Sequence, residues 1–138
     1  MTASCFLDTN ILVYSVDEKD KAKQRTARDL IATLVQNDDA IISTQTLQEF
    51  YNAATKKLIA SKKDAGSFVK QFSDIIPVHS NTINDVLAAI DISEASQLSF
   101  WDSLILASAK ACGCTTIYSE DLNDGQTING VKVVNPFK

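Results

Sequence analysis

Five short apolar runs are spread along the chain: "ASCFL" (3–7), "AIIS" (40–43), "IIPV" (75–78), "TTIY" (115–118) and "VKVV" (131–134). Longer amphipathic stretches separate them, and this alternation limits the possible folds more than any other feature. The first four runs are continuous in apolar character, as strands are when helices cover both faces of a parallel sheet. The last alternates and suits an edge. The stretches between carry apolar residues at helical spacing: Ala27, Leu30, Ile31 and Leu34 in "DKAKQRTARDLIATLVQN", then Leu47, Phe50, Tyr51, Ala54 and Leu58 in "TQTLQEFYNAATKKLIA". "KDAGSFVKQFSD", "NTINDVLAAIDIS" and "SFWDSLILASAKACG" follow, the last ending at Gly113, a natural C-cap. The expected architecture is a three-layer α/β/α sandwich around a mainly parallel five-stranded sheet, Rossmann-like in its winding. At 138 residues, a single domain over 1–138 is expected.

Several function classes are disfavoured. No apolar run approaches the roughly 20 residues that span a bilayer. The stretch "MTASCFLD" lacks the basic and long apolar regions of a signal peptide, so a cytoplasmic protein is expected. Cys5, Cys112 and Cys114 are odd in number, and His79 is the only histidine, which speaks against both a disulfide scaffold and a zinc site. The cysteines read as reduced and mostly buried, beside or within strands. A net charge of −4 does not advertise a nucleic-acid partner, yet 10 of the 13 basic residues fall between Lys19 and Lys70. Acidic residues that hold divalent cations also do not present their formal charge to a substrate.

The acidic residues carry the chemistry. Asp8 ends the first strand, in "SCFLDTNILVYSV", and Ser119, Glu120 and Asp121 follow "TTIY" directly. Glu49 lies near the start of the helix after the second strand, and Asp102 in the first turn of "SFWDSLIL". Ligands of open α/β sheets gather beyond the carboxyl ends of the strands, where these positions converge. Each acid also has a local role open to it. Asp8 can cap "TNILVYSV", Asp102 can complete a capping box with Ser99, Asp121 can serve a turn, and Glu49 can be a solvated helix residue. Converging carboxylates repel and raise one another's pKa unless a hard cation neutralises them. Mg²⁺ or Mn²⁺, one or two ions per site, takes oxygen ligands and supplies activated water for phosphodiester displacement without histidine or cysteine.

The ordered set "FLDTNILVY", "LQEFYNA", "FWDSLILASA", "IYSEDLNDGQ" and "VKVVNPF" resembles the PIN-domain ribonucleases, and within them the VapC-type toxins of toxin–antitoxin pairs. The resemblance runs from Phe6 to Phe137. It implies a PIN-like fold and a metal-dependent endoribonuclease whose acids are Asp8, Glu49, Asp102 and Asp121. It places Asn10 and Ser119 among the polar groups that orient those acids, and puts Glu120 beside the fourth acid, with Asp121 favoured as the one that reaches metal. It further implies an RNA substrate such as tRNA or rRNA, a homodimer and a silencing antitoxin protein.

Lys21, Arg25 and Arg28 share one helix face, which either positions an RNA backbone or is solvated beside Asp17, Glu18, Asp20 and Asp29. Phe100 and Trp101 flank Asp102; core packing or a subunit interface is the favoured reading of the pair, base stacking the other. His79 is expected at the surface or at a strand end, with no chemical role. Two other functions compete with the nuclease: a PIN-like scaffold without catalysis, and a phosphatase with Asp8 as nucleophile. The phosphatase reading lacks the second aspartate at Asn10.

Overall fold

Helix-covered parallel strands account for most of the chain in the computed structural model, which describes residues 4–138. Ala3, counted into the first apolar run, lies outside the described residues. The elements run β1 (Cys5–Leu7), α1 (Thr9–Val16), α2 (Lys21–Gln36), β2 (Ala40–Ser43), α3 (Thr44–Lys56) and α4 (Lys62–Ile75). They continue through β3 (Val78–His79), α5 (Ile83–Ala95), α6 (Phe100–Ala111), β4 (Thr116–Tyr118), β5 (Thr127–Ile128) and β6 (Val131–Val134). The sheet order is β3-β2-β1-β4-β6-β5, with every pairing parallel except β5 with β6.

Why the strands are continuously apolar is visible in which layer each residue joins. In β1, Phe6 packs with Ile105, Leu106, Ile117 and Val133 on one face, while Leu7 packs with Ile11, Leu12, Ile42 and Phe50 on the other. Successive strand side chains point to opposite faces, and both faces are covered, so both positions must be apolar. Helices α1 to α4 cover one face. Helix α6, buried from Ser103 to Ala109, covers the other, with α5 packed against it.

Three local departures from the sequence reading have physical causes. Among the described residues the sheet has six strands rather than five. The additional β5 pairs with β6 through Asn129 and Gly130, whose φ values of 54° and 81° make the tight two-residue turn that Asn-Gly favours. The run "IIPV" yields only Val78 to a strand. Ile75 closes α4, and Ile76, ahead of Pro77, is extended at φ −120° and ψ 127° because a residue before proline avoids helical geometry. Helix α3 stops at Lys56, short of Leu58. Leu58 takes the left-handed conformation at φ 58°, with Ile59 N–H donating to Ala54 O at 3.0 Å and Leu58 N–H to Thr55 O at 3.2 Å. That is a Schellman closure, and it leaves Leu58 85% exposed instead of on the apolar face.

Candidate active site

Strand β1 lies between β2 and β4, so the chain leaves it in one direction and returns on its other side. The crevice at such a reversal is where open α/β sheets place ligands. Asp8 stands at this point. It is 5% exposed and is the N-cap residue of α1, its Oδ1 accepting from Thr9 N–H at 2.7 Å. The cap uses one carboxylate oxygen. The other, Oδ2, accepts from Ser119 Oγ at 2.7 Å. Asp8 N–H donates to Tyr118 O at 3.0 Å, extending the β1–β4 ladder into the site and bringing residues 111 apart into contact.

Ser119 is fully buried and organises the loop after β4. Its Oγ accepts from the N–H groups of Asp121 and Leu122 at 3.2 and 3.3 Å while donating to Asp8. Asn10 closes the same loop from α1. Its Nδ2 donates to Asp121 Oδ2 at 3.1 Å and its Oδ1 accepts from Glu120 N–H at 3.2 Å. Ser119 thus contacts the Asp8 carboxylate and Asn10 that of Asp121.

Glu49 is not a solvated helix residue. Thr9 Oγ donates to its Oε1 at 2.7 Å, and Gln45 Nε2 donates to its Oε2 at 3.2 Å. Gln45 gives its second amide proton to Trp101 O at 3.0 Å, so one buried carboxamide ties α3 to the start of α6, beside Asp102. The capping box expected at Ser99 is half made. Ser99 Oγ accepts from Asp102 N–H at 3.1 Å, and the Asp102 carboxylate returns no bond to the Ser99 N–H.

The electrostatics register the convergence. Burial pushes the Asp8 carboxyl up to about 6, with the charges of Asp121 and Glu49 adding to the rise against the Ser119 and Thr9 donors. Burial also raises Asp102, and the same two charges, Asp121 and Glu49, raise it further. All four acids thus share one field, which is the arrangement a cation relieves. The donor set is carboxylate oxygen, the preference of Mg²⁺ and Mn²⁺, and in charge and chemistry it fits such an ion. Among the described residues no three acidic, histidine or cysteine side chains already form a closed cage. Their rotamers are set by Thr9, Asn10, Gln45 and Ser119, and closing on an ion requires some to turn.

Glu120 is drawn the other way. Its Oε1 accepts from Tyr14 Oη at 2.6 Å and its Oε2 pairs with the Lys23 ammonium, which also lies 4.7 Å from the Tyr14 ring centroid. Burial acts to raise its pKa, but Lys23 and Tyr14 overcome that and hold the carboxyl below its usual range. Of the basic face, Lys21 pairs with Glu18, and Arg28 donates through Nε to Ser15 O at 2.7 Å. Arg28 borders a groove between α2 and α4 whose lining includes none of the four acids. His79 closes β3 and bonds Asp85 at 2.7 Å, in the first turn of α5. Among the described residues no disulfide joins any two of Cys5, Cys112 and Cys114.

Thr9, Gln45 and the Tyr14–Lys23 pair went unassigned by sequence reasoning. Gln45 had a signal, since it lies one helical turn before Glu49. Lys23 had none, because nothing in the sequence links α2 to the loop after β4.

Residues 5–123 match the PIN domain family. No curated protein sequence matches the chain. Solved structures match over nearly its full length. VapBC2 from Rickettsia felis, bound to a DNA fragment from its promoter, has a TM-score of 0.71 and 17% identity, covering 94% of this chain and 96% of that one. The sarcin–ricin loop cleaving toxin VapC20 from Mycobacterium tuberculosis has 0.69 and 18%, covering 86% and 90%. A toxin–antitoxin complex from Klebsiella pneumoniae has 0.65 and 18%, covering 96% and 98%. At such identities the likeness speaks for the fold, and it is the family match over residues 5–123 that assigns membership: the chain belongs to the PIN-domain family.

Proposed function

We propose that the chain is a Mg²⁺- or Mn²⁺-dependent endoribonuclease of the VapC type, the toxin of a toxin–antitoxin pair. The observation that carries this reading is the shared field of four acids at the sheet reversal, with Asp8 raised to about 6 by burial and by Asp121 and Glu49. One or two bound cations would supply an activated water and neutralise charge developing on the phosphodiester. Asp8, Glu49, Asp102 and Asp121 would hold them. Ser119 and Thr9 fix the Asp8 carboxylate, Asn10 fixes Asp121, and Gln45 fixes Glu49. These donors orient Asp8, Asp121 and Glu49 before substrate arrives, and the remaining turn that closes the cluster comes with the ion. Glu120, tied to Tyr14 and Lys23, serves as a strut of the loop rather than a ligand.

The antitoxin partner and the homodimer rest on the family resemblance and on relatives solved as toxin–antitoxin complexes. Among the described residues no helix is long and apolar enough to cross a membrane, which accords with a cytoplasmic site of action. The purified chain, freed of any bound partner, should cut total RNA in Mg²⁺ or Mn²⁺ and stop in EDTA, while Asp8→Asn and Asp102→Asn stay inactive. Turnover of phosphomonoesters without RNA cleavage would replace this reading with the phosphatase.

A further inference from the structure

Trp101 is the chain's only tryptophan and is 61% exposed. Phe100 beside it packs against Ala89, Leu104 and Ala107 and meets the Trp101 ring edge-on, with centroids 5.1 Å apart at 79°. The two aromatics thus divide their roles, one anchoring α6 and the other presenting its ring to solvent. Trp101 forms one wall of an open cleft of about 290 Å³, and Gln45, Gln48, Glu49 and Asn52 of α3 form the rest. Glu49 belongs to both the cleft and the acid cluster, and Asp102 is the next residue after Trp101, so the cleft opens onto the acids.

Its lining is specific in chemistry. Gln48 and Asn52 lie one helical turn apart, both exposed, and neither side-chain amide is hydrogen-bonded among the described residues. Gln45 is 3% exposed and fixes the floor through Glu49 and Trp101 O, at the expense of leaving its own Oε1 without a partner among the described residues. A buried orphan acceptor is costly, which singles out the two donated bonds as the reason for the residue. An aromatic face beside free carboxamides is how proteins hold and read an unpaired base. Glu49 at the mouth disfavours a second phosphate.

We propose that this cleft is a nucleobase subsite, in which the base of an unpaired nucleotide neighbouring the scissile phosphate stacks on Trp101 and is read by Gln48 and Asn52. The subsite rests on the nuclease reading.

Because Trp101 is the only tryptophan, its emission reports on the cleft alone. Titration with four single-stranded hexaribonucleotides, each of one base, with Ca²⁺ replacing Mg²⁺ to slow cleavage, should give saturable quenching that differs among the bases. Gln48→Ala and Asn52→Ala should change the rank order of the four. In cleavage, Trp101→Ala should lower kcat/KM by roughly tenfold to a hundredfold, as loss of one stacked base does, and Trp101→Phe should restore most of it. Quenching is a binding signal, so its persistence in a chain that cuts no RNA would sink the nuclease reading while keeping the subsite. Emission unmoved by all four oligomers overturns the subsite. So does wild-type cleavage by Trp101→Ala, or a response only to protein concentration or to an arginine-containing peptide, which would make the cleft a protein interface.

Discussion

Asp8 shows how one side chain serves the fold and the site against each other's interest. Its raised pKa means that the native, metal-free protein holds a proton the unfolded chain releases near the usual value of 3.8. Native stability from this group is therefore complete below about pH 4 and is lost as pH rises towards about 6, by about 2–3 kcal/mol in all. In EDTA, the difference in unfolding free energy between wild type and Asp8→Asn should open over that window. The amide variant should be the more stable at pH 7, by about 1–2 kcal/mol, while losing activity. Equal stability at pH 5 and pH 7 would contradict the account. The neighbouring acids separate in the same spirit. Glu120→Gln should lower metal-dependent cleavage by about tenfold to a hundredfold, the usual loss for an outer partner, and Asp121→Asn by more than that. A reversed order would make Glu120 the ligand. Asp8 and Asp121 were legible as candidates because each follows a strand-like run. The bonds that choose between Asp121 and Glu120 were not, because Tyr14 and Lys23 reach Glu120 only across the fold.

At the level of elements, helix ends were legible when glycine marked them and illegible when another residue took glycine's conformation. Gly113 ends α6 at φ 75°, as its sequence position suggested, whereas Leu58 does the same for α3 at φ 58° with nothing to announce it. A left-handed non-glycine residue costs about 1–2 kcal/mol, partly offset by the flexibility glycine adds to the unfolded chain. Leu58→Gly should accordingly stabilise the protein by about 0.5–1 kcal/mol in denaturant unfolding, without changing cleavage; a loss of stability would show that Leu58 is held by packing. Strand β5 is the converse case. The Asn129–Gly130 turn was present in the sequence, but a strand of two residues offers too few positions for any period to show. "IIPV" misled because its apolar content fits the end of a buried helix as well as a strand, and Pro77 decides the matter through Ile76.

Across the whole molecule, the class of fold was set by patterning that many residues share, and the site by contacts that few residues make. The mainly parallel sheet follows from continuous apolar strands covered on both faces, a property repeated in β1, β2 and β4. The acid cluster depends on bonds spanning 40 to 111 positions, Thr9 to Glu49 and Ser119 to Asp8, which no local pattern encodes. The central claim is that four acids distant in sequence act as a single cation-binding unit. Calorimetric titration of Mn²⁺ into the wild type and into Asp8→Asn, Glu49→Gln, Asp102→Asn and Asp121→Asn tests it most directly. The wild type should show one saturable site region, weakened about tenfold or more by each substitution. Wild-type affinity in two or more of the four variants would contradict it.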